Sequence, residues 1–276
     1  MVKTPKLRFI ELCSDTTFKY LYKNDKYRPW FNNIIKSKFN IDLNDYTLSD
    51  IEFNTGNKKK DYRVDVSLSK GENCVIIEIN NSYYTFIDNK SYQYLYRSAG
   101  YRYDQGNDYV ENKITKLILF NNYKNPKLPE MKTANFKLKE ESTGLVIEDI
   151  ESFEIYLPNF KEVCYHIDNE VDISLSLFSC TSYEEMRNKT NNPKDIEIIE
   201  ELERLAMDEN FLLSYDHEQV RKKVENSIRI EGFNEGINQE KIEIAKNMLS
   251  MNLTLEQISQ ATNLSLEEIE NIKRTM

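Results

Sequence analysis

The spacing of apolar residues divides the chain into a first part that alternates helices with strands and a last part that is helical. Residues 8–38 carry apolar residues at helical spacing, with an interruption near Arg28-Pro29. A tyrosine-rich helix is predicted at Tyr83–Arg102. Outside a central hairpin, strands are predicted at three places, 47–53, 114–120 and 145–157. This order of elements is typical of an α/β fold.

A β-hairpin is predicted in the segment DVSLSKGENCVIIEIN, residues 65–80. Gly71-Glu72 suits a two-residue turn because glycine is favoured at the first central position. This turn places Asp65 directly opposite Glu78, and a four-residue loop gives the same register. The Cβ atoms of such opposed pairs lie roughly 4.5–5.5 Å apart.

The two opposed carboxylates raise a physical conflict. Like charges facing each other destabilise a sheet, and burial adds to the cost. A divalent cation that bridges Asp65 and Glu78 resolves the conflict, and Mg²⁺ often takes only one or two carboxylates. Asn80 follows two residues after Glu78 and therefore points to the same face. The pattern predicts a site for metal-assisted hydrolysis, with carboxylates solvated at the strand ends as the alternative.

The end of the chain has a different character. Residues 183–229 are charged with helical periodicity, and the tail is predicted to form three short helices, two of which begin at capping boxes. The last two helices resemble a helix-turn-helix, but the second one begins with glutamates, which oppose phosphate binding. We therefore favour a packing or self-association module and expect a homodimer through the C-terminal helices. The predicted domains are 1–180, 181–240 and 241–276.

Composition and charge narrow the class of protein. The formal charge of the 276 residues is −9, and residues 181–276 hold 12 basic and 20 acidic side chains, so the first part is near neutral. The chain starts without an apolar signal segment and has no stretch of membrane-spanning length. Four cysteines without a CxxC pair and two isolated histidines argue against zinc or disulfides. We expect a cytoplasmic protein with reduced cysteines and no membrane partner.

Two basic segments flank the hairpin and are candidates for DNA contact. The loop before it contains the positive side chains Lys58, Lys59, Lys60 and Arg63, which could hold phosphates or simply be solvated. The tyrosine-rich helix after it carries Lys90, Tyr94 and Arg97. Tyr94 lies one helical turn from Lys90 and could stack on a base. The alternative is that the tyrosines pack this helix on the sheet.

Several of these stretches together resemble a known family. An acid followed by Glu-x-Asn on a hairpin is similar to the PD-(D/E)XK nuclease superfamily, and more closely to its recombination-promoting nuclease/putative transposase family. The likeness lies in SDTTFKYLY at 14–22, in residues 63–84, in GNDYVENKITKLILFN at 106–121, and in the tail from EGFNEGINQE onward. It covers nearly the whole chain, and it implies a restriction-endonuclease-like core, a mixed sheet flanked by helices, before an all-helical C-terminal region.

The resemblance implies a Mg²⁺-dependent DNA endonuclease, with Mn²⁺ as an alternative metal, linked to mobile elements, recombination or host defence. It makes Asp65 and Glu78 metal ligands, and Asp15 matches the family's N-terminal acid, which completes the site. Asn80 stands where many members have lysine, and asparagine orients water but carries no charge. Either the metal activates the water or Lys90 substitutes for the lysine. The alternative is a catalytically decayed nuclease fold that acts as a nucleic-acid-binding or protein-interaction module.

Overall fold

The computed structural model describes residues 7–49, 52–53, 62–71, 73–83, 87, 92–96, 114–164 and 169–275. The chain divides into two units, residues 1–215 and 216–276. This boundary lies beyond the predicted one at residue 180. The reason is that Met186, Ile198 and Leu202 belong to the same apolar core as the N-terminal helices.

The predicted N-terminal helical segment consists of two helices, α1 (Asp15–Lys23) and α2 (Arg28–Phe39). Ser14 caps α1 by accepting a hydrogen bond from the backbone N–H of Thr17. Pro29 lies in the first turn of α2, where a missing N–H costs nothing. The predicted interruption before this proline is therefore confirmed.

Eight described strands follow one another along the first unit. They are β1 (Thr47–Leu48), β2 (Glu52–Phe53), β3 (Tyr62–Arg63), β4 (Val66–Lys70), β5 (Asn73–Asn80), β6 (Thr115–Asn121), β7 (Thr133–Lys139) and β8 (Val146–Tyr156). The strands predicted near 114–120 and 145–157 are confirmed. β7 escaped the sequence analysis because it is an edge strand whose Phe136 and Leu138 are exposed, which leaves only a weak apolar signal.

The described strands form a six-stranded mixed sheet in the order β1-β4-β5-β6-β8-β7, and β2 pairs with β3 separately. β5, β6 and β8 are parallel, whereas the outer neighbours are antiparallel. The hairpin pairs Val66 with Ile77 and Lys70 with Asn73, which confirms the predicted register. Gly71 has a φ of 56°, a conformation that favours glycine at this turn.

The two faces of the sheet differ. On the face we call apolar, Val75, Ile77 and Ile79 of β5 pack in one core with α1 and α2. That core also includes residues from three later helices, α3 (Glu170–Ser176), α4 (Tyr183–Lys189) and α5 (Pro193–Leu205). On the opposite face, which we call polar, β5 presents Ile76, then Glu78 and Asn80. Apolar residues also pack on the polar face, in a cluster smaller than the core of the apolar face. This cluster includes Ile76 and also Leu95 from the helical residues 92–96.

The second unit contains most of α6 (Glu209–Ser250), then α7 (Leu255–Thr262) and α8 (Leu266–Thr275). α6 runs through the segment predicted as the first short helix of the tail, so that prediction of three separate helices is wrong. Both predicted capping boxes are confirmed: Thr254 and Gln257 bond reciprocally, as do Ser265 and Glu268. Among the helices of the described residues, none combines the length and the apolar character needed to cross a bilayer.

Candidate active site

The candidate site lies at one edge of the sheet. Because β5, β6 and β8 are parallel, their carboxyl ends meet at this edge, and the antiparallel β4 begins there. Asp65 directly precedes β4, while Glu78 and Asn80 end β5. The N-terminal turn of α1 brings Asp15 to the same edge, where it bonds Asn81. The fold thus collects four residues that the sequence analysis singled out.

The carboxylates of Asp65 and Glu78 are each held by a backbone N–H from the other side of the hairpin. The N–H of Asp65 donates to Glu78 Oε1 over 2.9 Å, and the N–H of Ile79 donates to Asp65 Oδ2 over 2.9 Å. The side chains are buried, with residue exposures of 8% and 3%. Each carboxylate therefore receives a hydrogen bond from the opposite strand, which offsets part of the cost of holding two negative charges side by side.

Lys19 of α1 supplies a positive charge that the sequence analysis did not single out. Its Nζ lies 2.7 Å from Asp65 Oδ1. Burial lowers the pKa of Lys19, but attraction to Asp65, and then to Asp15 and Glu78, raises it by more, so the pKa lies above the ordinary value of 10.5. Lys19 is consequently charged at neutral pH. A sequence signal was present, because Lys19 follows Asp15 by four residues on one helix face.

Asp15 is held by the side-chain amide of Asn81, which is itself held by Asn122. Its Oδ1 accepts from Asn81 Nδ2 over 2.9 Å. Asn122 Nδ2 donates in turn to Asn81 Oδ1 over 3.3 Å and to Cys13 Sγ over 3.2 Å. Asp15 is thus placed at the edge and engaged with an amide. Its role as a metal ligand stays a prediction.

Asn80 belongs to a buried row of hydrogen bonds across three strands, which we call the amide row (Asn80, Asn121, Glu154 and Tyr156). Asn80 Nδ2 donates to Asn121 Oδ1 over 3.0 Å, and Asn121 Nδ2 donates to Glu154 Oε2 over 3.0 Å. Tyr156 Oη donates to the same Glu154 oxygen over 2.6 Å. The signal in the sequence was that β5 and β6 both end in Asn-Asn, at 80–81 and 121–122.

The predicted DNA contacts are only partly within the described residues. Tyr94 is 8% exposed, which favours the alternative in which its ring packs on the sheet. Arg63 lies in β3, and only its backbone position is described. The other predicted contacts lie outside the described residues: Lys58, Lys59, Lys60, Lys90 and Arg97.

The side-chain atoms that could bind a metal ion at this edge are oxygen atoms. Asp65 and Glu78 offer carboxylates and Asn80 offers an amide, which suits a hard cation such as Mg²⁺ or Mn²⁺ rather than zinc. Within the described residues, no three His, Cys, Asp or Glu side chains lie close enough to form a complete metal cage. Mg²⁺ does not need one, because it keeps several waters and binds through one or two carboxylates and substrate phosphates. The types of donor at this edge are therefore those that Mg²⁺ takes.

Comparison with known proteins finds no matching family model, no matching curated protein and no matching solved structure. The fold therefore stands as an α/β unit with a mixed sheet flanked by helices, followed by a helical region. Any assignment of function rests on the motifs and on the geometry of Asp65, Glu78 and Lys19.

Proposed function

We propose that this chain is a Mg²⁺-dependent endonuclease that hydrolyses phosphodiester bonds of DNA on a restriction-endonuclease-like core. The observation that carries the proposal is the pair Asp65 and Glu78, each locked by the other strand's backbone and accompanied by Lys19. The mixed sheet with its hairpin and the motif order along the chain support it. The biological setting we propose is mobile-element recombination or defence.

The residues of the site have separate tasks in this proposal. Asp65 and Glu78 hold the cation, and Mn²⁺ serves as well as Mg²⁺. When bound, the cation supplies Lewis-acid activation of water and neutralises phosphate charge. Lys19 adds a positive charge beside Asp65, where it attracts the scissile phosphate and stabilises charge that develops on it. Lys19 thereby provides the charge that Asn80 cannot, whereas Lys90 remains a predicted contact.

DNA reaches the site along basic side chains in this proposal. Lys58, Lys59 and Lys60 precede the hairpin and would contact phosphates, as would Arg63, Lys90 and Arg97. Such contacts release counterions, so affinity for DNA should fall steeply as salt rises.

The asparagine at position 80 favours a second candidate, a decayed nuclease that binds nucleic acid without cutting it. Asn80 is committed to Asn121 and carries no charge. This candidate predicts that DNA binding survives EDTA and that neither Mg²⁺ nor Mn²⁺ produces nicks.

Nicking of supercoiled plasmid separates the two candidates. The experiment compares wild type, Glu78→Gln and Glu151→Gln in Mg²⁺, in Mn²⁺ and in EDTA. Glu151 is a matched control, because it is 3% exposed like Glu78 but lies on the apolar face of β8, paired with Lys116 and Lys137. We expect metal-dependent nicking that Glu78→Gln loses and Glu151→Gln retains. Equal nicking by both variants, or none by wild type, would contradict the nuclease.

We also propose that the second unit joins two copies of the chain through α6. Ile230, Phe233 and Ile237 follow one another at helical spacing on one side of this helix and are exposed, the first two by more than half. Residues 219–230 hold four basic side chains and one acidic one, Glu225, whereas residues 231–240 hold three glutamates and no basic side chain. An antiparallel pair would place the basic half of one copy against the acidic half of the other.

Sedimentation tests this partner. We expect a dimer for wild type and a monomer for Phe233→Glu, with the dimer weakened by salt because opposite charges align. Leu266→Glu is the control, since Leu266 is an exposed apolar residue of α8 outside the proposed contact. A monomeric wild type would end this proposal and leave the nuclease proposal intact.

A further inference from the structure

The hydrogen bonds of the amide row fix which end of Asn80 is used. A carboxylate accepts hydrogen bonds and donates none, so Glu154 requires the amino group of Asn121. Asn121 must then turn its carbonyl oxygen toward Asn80. Asn80 in turn gives its amino group to Asn121. Glu154, a buried acid two strands from Asn80, therefore sets the orientation of the side-chain amides of Asn121 and Asn80. In water either amide could point in either direction.

The carbonyl oxygen of Asn80 is the other end of the same planar group and is therefore turned away from Asn121 and β6. β4, which follows Asp65, lies on the other side of β5 from β6. Glu78 shares a face of β5 with Asn80, two residues earlier. Because the amino group of Asn80 is engaged by Asn121, an oxygen is the group that Asn80 can offer to the site.

We infer that Asn80 is a third oxygen ligand for the divalent cation, and that Asn121 and Glu154 are positioning residues that keep its carbonyl oxygen turned to the site. This inference rests on the proposed function and adds to it a specific role for Asn80. Asparagine there does not imitate the superfamily lysine. It adds a ligand, while the positive charge comes from Lys19.

Tyr156 completes the row at its far end. Its hydroxyl donates to Glu154 and accepts from Asn125 Nδ2 over 3.2 Å, so the carboxylate is held by donors on both sides. Glu154 and Tyr156 are both buried, which keeps water from competing for these bonds. Partners of this kind behind a metal ligand typically change metal affinity about 10- to 100-fold when they are removed.

Mn²⁺ binding, measured by electron paramagnetic resonance on the full-length protein, tests the inference apart from catalysis. The informative variant is Glu154→Gln, which keeps size and shape but lets residue 154 either donate or accept, so the row loses its direction. We expect Glu154→Gln to weaken Mn²⁺ binding about 10- to 100-fold, and Asn80→Leu, which removes the proposed ligand itself, to weaken it at least as much. Asn80→Asp should bind more tightly than Asn80→Leu, since it retains an oxygen.

Glu151→Gln is the matched control, because it makes the same change in a buried glutamate of the same strand on the other face. Its Mn²⁺ affinity should equal that of wild type, and thermal melting should show each variant folded. Unchanged Mn²⁺ affinity in folded Asn80→Leu, or equal losses in Glu154→Gln and Glu151→Gln, would overturn the inference. Wild type that binds Mn²⁺ with these effects but does not nick DNA would overturn the nuclease and uphold the ligand role.

Discussion

The two faces of the sheet carry different side chains although they are formed by the same strands. Along β5, Val75, Ile77 and Ile79 point into the main core, whereas Glu78 and Asn80 point to the polar face. Successive side chains of a strand alternate between faces, so a single strand supplies both sets. The comparison teaches that the apolar face holds the unit together, and that this stability lets the opposite face keep carboxylates and amides in an arrangement suited to binding.

The apolar face is held by aromatic packing around α2. Phe31 is fully buried and lies against Phe18, with ring centroids 5.2 Å apart. The ring centroids of Trp30 and Phe31 are 4.9 Å apart. The indole N–H of Trp30 donates a hydrogen bond to the fully buried Asp195 over 2.7 Å. The hydroxyls of Ser174 and Thr190 also donate hydrogen bonds to Asp195, so this buried acid connects three elements of the core.

The polar face is held by hydrogen bonds between side chains. Asn80, Asn121 and Glu154 are all buried, so each depends on its neighbours rather than on water. A buried polar group that loses its partner costs about 1–3 kcal/mol, which makes such a row sensitive to single changes. The row therefore holds its side chains in one arrangement.

The largest effect on folding should come from the apolar face. Phe31→Ala removes a fully buried ring, so we expect a loss of about 3–5 kcal/mol in the free energy of unfolding. Urea denaturation followed by circular dichroism measures it. A loss below about 0.5 kcal/mol, the usual size for a surface change, would show that this face is not the stabilising one.

On the polar face the largest effect should be on the proposed nuclease activity. Lys19→Met removes the positive charge beside Asp65, and we expect plasmid nicking to fall about 100-fold, as for loss of one donor that stabilises transition-state charge. Lys19→Arg keeps the charge and should restore part of the rate. If Lys19→Met nicks as fast as wild type, Lys19 only balances the charge of Asp65.

An intermediate effect tests the polar anchor inside the apolar core. Trp30→Phe keeps the aromatic packing but removes the indole N–H from Asp195, which then retains two hydroxyl donors. We expect a loss of about 1–3 kcal/mol in unfolding free energy and unchanged nicking per folded molecule. A selective loss of nicking would mean that the two faces are coupled.

The smallest effect concerns two hydroxyls. Ser152 Oγ and Thr115 Oγ1 are buried and have no hydrogen-bond partner among the residues that the structure describes. Ser152→Ala and Thr115→Val should therefore leave the unfolding free energy within about 1 kcal/mol of wild type. Both residues lie on the polar face, so a loss of nicking without a loss of stability would extend the binding surface to them.

Several elements of the first unit could be predicted from the sequence because they depend on residues close together in the chain. The hairpin register follows from one glycine turn, and it placed Asp65 opposite Glu78 correctly. The capping boxes at Thr254 and Ser265 are equally local. The end of the first unit was not readable, since nothing near residue 180 reveals that Met186 and Leu202 pack against a distant N-terminal helix.

The sequence by itself determined the α/β class, the hairpin and the two opposed acids, because alternation and turn chemistry act over a few residues. Only the tertiary structure decided that Lys19 reaches Asp65 from another element, and that Glu154 sets the direction of Asn80 through Asn121. Those contacts join residues 33 to 46 positions apart in the chain. They depend on strand order and helix packing, which no local pattern encodes.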